Sequence, residues 1–109
     1  MTTTTEKGID EILHTVQRLR ERWGLDIRPE DYRRACEDIR WGRAVRVYRS
    51  SETYTHWLVR IKSRVIPVIY NQHTGNIATA LPSSALWNDE YVPVISRLVG
   101  QAAAARAGE

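Results

Sequence analysis

At 109 residues and 12.6 kDa the chain has room for one small domain and little left for a second. With 42% hydrophobic and 27% charged residues it has globular composition, which excludes a disordered or collagen-like chain. The net charge of +3 and the pI near 9.4 are modest taken whole and become informative only when divided along the sequence.

Residues 1–5 are a threonine run after Met1, without the basic and apolar segments of a secretion signal. They are expected to be disordered, and the protein cytoplasmic or a delivered effector domain. No apolar stretch approaches the ~20 residues that would span a bilayer, so no membrane partner is expected. Cys36 is the lone cysteine, which rules out an intramolecular disulfide and a Cys-based zinc cluster. The six glycines are scattered and none opens a phosphate-binding loop. The three histidines have no short-range partner, so neither metal nor cofactor is expected.

In chain order, the first element is an amphipathic helix over Glu6 to Trp23. Ile9, Ile12, Leu13, Val16, Leu19 and Trp23 recur at helical spacing, and Gly24 suits its C-terminal cap. Pro29 opens a second helix, Glu30 and Asp31 complement its dipole, and Trp41-Gly42 ends it. Tyr32, Ala35, Cys36 and Ile39 form its apolar stripe, with Cys36 an inert buried thiol. Ala44 to Arg49 then alternates, Val45 and Val47 on one side, Arg46 and Tyr48 on the other. In Tyr54 to Lys62, Trp57, Val59 and Ile61 share one face, and His56, Leu58, Arg60 and Lys62 share the opposite one. Val65 to Tyr70 reads as the most buried strand, although Pro67 cannot donate to a ladder. A polar turn at 71–76 leads into a fourth strand, Ile77 to Leu81, stopped by Pro82. A third helix is expected over 88–106, with Pro93 in its first turn. The order predicts an α+β single domain over 1–109: two N-terminal helices (6–42) on a four-stranded antiparallel meander (43–82), then a C-terminal helix. The four tryptophans are expected mostly in core or helix-to-sheet packing.

Charge follows this division. Residues 43–86 carry six Lys/Arg against Glu52 alone, a net of +5, while the segments on either side are each at −1. A positive field confined to a sheet is the footprint of a polyanion binder; the plainer reading is a solvated basic face.

The strand Val65-Ile-Pro-Val-Ile-Tyr-Asn, the Gln72-His-Thr-Gly-Asn turn and Ile77-Ala-Thr-Ala-Leu-Pro82 together resemble the barnase/EndoU/colicin/RelE-like ribonucleases. The resemblance runs from about Tyr32 to Pro82. It implies a small metal-independent endoribonuclease, of toxin or phage type, that cuts RNA (tRNA among its candidate substrates) on an exposed sheet face. It carries a catalytic role onto His56, Arg60, Lys62 and Thr79, and suggests an acidic antitoxin or immunity protein as partner. Barnase-type members use a carboxylate base, and Glu52 is the only acid in this sheet region.

The residues themselves permit that chemistry. Transesterification by the 2′-OH needs a base, an acid and positive charge on the phosphorane. His56 can exchange a proton near neutrality, and Arg60 and Lys62 follow at strand spacing of ~6.6 Å per residue pair. Thr79 offers a hydroxyl to a phosphate oxygen. Arg46 and Arg64 are expected to contact RNA, and Tyr48 and Tyr70 to stack on bases. The rival reading is a non-enzymatic module that uses the same basic sheet to bind nucleic acid or an acidic protein. A homodimer covering Trp87, Tyr91 and the alanine-rich tail is a further expectation. All the catalytic expectations require the His56 ring to face outward beside its cationic neighbours.

Overall fold

The computed structural model describes residues 6–107. The expected disorder of residues 1–5 lies outside the described residues. Helix α1 (Glu6–Trp23) and helix α2 (Pro29–Arg40) precede strands β1 (Val45–Arg49), β2 (Tyr54–Ile61), β3 (Arg64–Asn71) and β4 (Asn76–Ala80). A 3₁₀ turn over Ser83–Trp87 and helix α3 (Val92–Ala107) complete the chain. The strands form one antiparallel meander in the order β1-β2-β3-β4, as the alternation of the sequence predicts. Among the described residues, no helix is long and apolar enough to cross a membrane.

One face of the sheet is packed by α1 and α2. Val59, Ile61, Ile66, Val68, Tyr70 and Ile77 meet Leu19, Tyr32, Ala35, Cys36 and Ile39 in a continuous core. The apolar stripe of α1 is rotated from its expected position: Ile9 and Leu13 are exposed, whereas Glu11, Thr15 and Leu19 are buried. The cause is polar. Thr15 Oγ1 and the Tyr32 hydroxyl both donate to Ile77 O, at 3.0 and 2.7 Å. Arg22 donates to Ala80 O. Side chains of α1 and α2 thereby satisfy carbonyls of β4, an edge strand that would otherwise invite pairing. Glu11 accepts from Asn71 Nδ2 (2.9 Å) and Thr74 Oγ1 (2.8 Å), while Asn71 Oδ1 takes the N–H groups of His73 and Thr74. A buried carboxylate so partnered fixes the β3–β4 turn.

Pro67 sits in an interior strand, and its missing donor is made good elsewhere. Its carbonyl accepts from Leu81 N, the half of a mutual pair that proline can still make. The other half would occupy Leu81 O, and Trp23 Nε1 donates there instead at 2.8 Å.

The opposite face of the sheet is also covered in part. Leu58, Tyr91 and Val94 form a second buried cluster, joined by Val45, Val47, Tyr48, Leu81, Leu86, Ile95 and Leu98. The 3₁₀ turn lies against β3, and its Leu86 joins the first half of α3 in covering the side chains of β1 and β2 there. A register shift between Arg46 and Tyr48 brings Tyr48 to the same side as Val45 and Val47, against the expected alternation. Tyr91 points inward at 1% exposure, so it is not part of any surface awaiting a partner subunit, whereas Trp87 is 81% exposed.

Candidate functional site

The register builds a transverse row on this second face: Tyr48 opposite His56, His56 opposite Ile69, Ile69 opposite Thr79. His56 is buried within it. Its Nδ1 lies 2.8 Å from the Tyr91 hydroxyl, and its ring stacks on Tyr48 at a centroid separation of 4.3 Å. Tyr91 meets the same ring edge-on. Burial pushes the imidazole below its ordinary pKa, and the nearby Glu90 carboxylate opposes that shift. Burial pushes the Tyr91 phenol well above its ordinary value, so its proton stays in place. The outward-facing histidine required by the catalytic expectation is therefore absent. The apolar residues Val45, Val47 and Leu58 needed cover, and the cover lies on His56 as well.

The other residues expected to work with His56 are dispersed. Thr79 is half-buried and lies two strands away, ~10 Å at the backbone. It lines a separate cleft of about 280 Å³ with His14, Ser50, Tyr54, Ile69 and Ala78. Tyr70, expected to stack on a base, is 6% exposed in the helix-side core. Tyr48 is half-buried, with one face of its ring stacked on His56. Arg64 donates to Trp23 O and so braces the end of α1. Arg46 is exposed on the edge strand β1. Cys36 is buried and its thiol is pushed up by burial, in keeping with an inert role.

Arg60 and Lys62 do come together, at the β2–β3 hairpin. Ile61 pairs with Arg64, leaving Lys62 and Ser63 as a two-residue loop with φ of +49° and +70°. Positive φ at both positions is the type I′ geometry that matches strand twist, and it is usually filled by Asn-Gly. Here a lysine occupies the first position and is presented at the tip. Arg60, Lys62 and Ser63 line a groove of about 330 Å³ against Asp31, Arg34 and Asp38 of α2. Arg34 was not among the residues singled out from the sequence.

The charge balance of this groove is set by what its carboxylates already do. Asp31 Oδ2 accepts from Arg28 N at the start of α2, and Asp38 Oδ1 pairs with Arg43 Nε at 2.8 Å. Arg60 donates to the Ser63 carbonyl. Among the described residues, Arg34, Arg60 and Lys62 form no ion pair. Three cations from two chain segments, α2 and the β2–β3 hairpin, thus border one concavity, none of them ion-paired among the described residues, with Asp31 as the one carboxylate there that has no cationic partner. The described residues hold no cluster of three or more His, Cys, Asp or Glu side chains suited to a metal ion. Compared with protein-family models, curated proteins and solved structures, the chain has no match.

Proposed function

We propose that this chain is a non-enzymatic nucleic-acid-binding module that holds the phosphate backbone in the groove between α2 and the β2–β3 hairpin. The observation that carries the reading is the convergence of Arg34, Arg60 and Lys62 around a hollow whose two carboxylates are already engaged. Unneutralised cations in a concave site focus a positive field and attract a polyanion. Lys62 keeps a left-handed backbone that costs an ordinary residue roughly 1–2 kcal/mol. The hairpin turn sets that conformation, and the turn presents the lysine at its exposed tip.

Binding is favoured over cleavage by the state of His56. A general acid or base must reach the proton that it moves. This ring has one nitrogen on Tyr91 and one face on Tyr48, and the cations lie at the hairpin end of the sheet. Labelled RNA titrated with the protein in EDTA, followed by a gel of the same samples, tests both readings. Retarded, intact RNA is the expected result. Cleavage by the wild type that His56→Ala abolishes would restore the ribonuclease reading, and absence of binding at low salt would remove the present one.

A further inference from the structure

We infer that the groove takes a single strand rather than a duplex, with Trp41 as the platform on which an unpaired base stacks. The inference rests on the nucleic-acid reading above and specifies the kind of strand.

Helical geometry places the indole beside the cations. At ~100° per residue, Asp31, Arg34 and Asp38 of α2 and Trp41, which caps its C-terminus, fall on one stripe roughly 80° wide. The centre of that stripe lies roughly 130° around the helix from the centre of the buried one, formed by Tyr32, Ala35, Cys36 and Ile39. The first three of its residues line the groove, so the stripe runs from the cationic hollow to Trp41, ~10 Å along the axis from Arg34.

Trp41 contributes little to the core. It is 68% exposed, although a tryptophan is the side chain with most to gain from burial. Its backbone is nonetheless held firmly. Trp41 N donates to Glu37 O at 2.9 Å, and Gly42 turns the chain at a φ of +75°. Arg43 then returns to Asp38 through both its backbone N–H and its guanidinium. The indole is therefore carried on an ordered helix end rather than on a free loop.

Charge and ring select different things. Cations bind the backbone of any nucleic acid. A duplex keeps its base faces stacked on one another and shows only their edges in the grooves, whereas an unpaired base offers its face to an aromatic ring. An acidic peptide would meet the cations equally well but would gain nothing comparable from the indole.

The test compares a labelled oligouridylate with a duplex RNA of equal length, by anisotropy at fixed salt, for wild type and Trp41→Ala. Poly-glutamate serves as competitor. The wild type is expected to prefer the single strand. Trp41→Ala is expected to lose about tenfold in single-strand affinity with duplex affinity unchanged, and Trp41→Phe to recover most of the loss. Equal affinity of the wild type for the two forms, or a neutral Trp41→Ala, overturns the inference while leaving the nucleic-acid reading intact. Competition by poly-glutamate as strong as by unlabelled oligouridylate overturns it too. If the wild type binds neither RNA, the underlying reading itself fails. Trp41 is exposed and its side chain makes no hydrogen bond among the described residues, so the variant is expected to fold, as circular dichroism will verify.

Discussion

The imidazole Nδ1 of His56 on β2 and the hydroxyl of Tyr91, 35 residues later, lie 2.8 Å apart in a buried contact. This bond joins the sheet to the segment that leads into α3, and Tyr48 stacks on one face of the ring. The folded environment disfavours the protonated ring, chiefly through burial. The unfolded chain therefore takes up more protons as pH falls through the ordinary imidazole range. Stability is full above the unfolded value of about 6.5 and is lost as pH drops through the lower folded value. Thermal unfolding midpoints measured between pH 7.5 and 5.5 are expected to fall for the wild type. They should fall less for His56→Gln, which has no titrating ring. Equal slopes for the two proteins would show that the contact is not the source of the pH dependence.

Glu11 is the buried anchor of the β3–β4 turn, and its two acceptors serve Asn71 and Thr74. Removing it with Glu11→Ala leaves two polar groups without their charged partner. The expected loss is about 2–3 kcal/mol of unfolding free energy, read by urea denaturation. RNA binding at the opposite end of the sheet should be retained under native conditions. A loss below ~0.5 kcal/mol would mean that water replaces the carboxylate readily.

Ser63 adopts φ of +70° in the hairpin loop, where glycine carries no steric penalty. Ser63→Gly is expected to raise stability by about 0.5–1 kcal/mol in the same denaturation assay, with Lys62 still presented and binding preserved. A destabilised variant would contradict the type I′ assignment.

The extent to which the sequence announced these features varied with how local each one is. The ends of α1 and α2 were legible because Gly24, Pro29 and Gly42 punctuate the chain through their own backbone preferences. The two faces of β2 were legible because Trp57, Val59 and Ile61 alternate strictly. The burial of His56 was not, since periodicity reveals that Leu58 needs cover but not that the segment around Tyr91 supplies it. The shift that turns Tyr48 inward lies in an irregularity of pairing, which no pattern within β1 records. Arg60 and Lys62 were visible as cations, but their meeting with Arg34 is tertiary. Trp41 carried a signal that helical periodicity could have exposed: it lies outside the apolar stripe of α2 and three residues beyond Asp38.

The central claim is that Arg34, Arg60 and Lys62 hold a phosphate backbone, and the salt dependence of RNA binding tests it most directly. With about three phosphates neutralised, log affinity plotted against log salt should fall with a slope near −2 for a single strand. Replacing Arg60 and Lys62 together by glutamate should abolish binding at moderate salt while leaving the thermal midpoint close to that of the wild type, since both side chains are exposed. A slope near zero, or undiminished affinity in the double variant, would contradict the account.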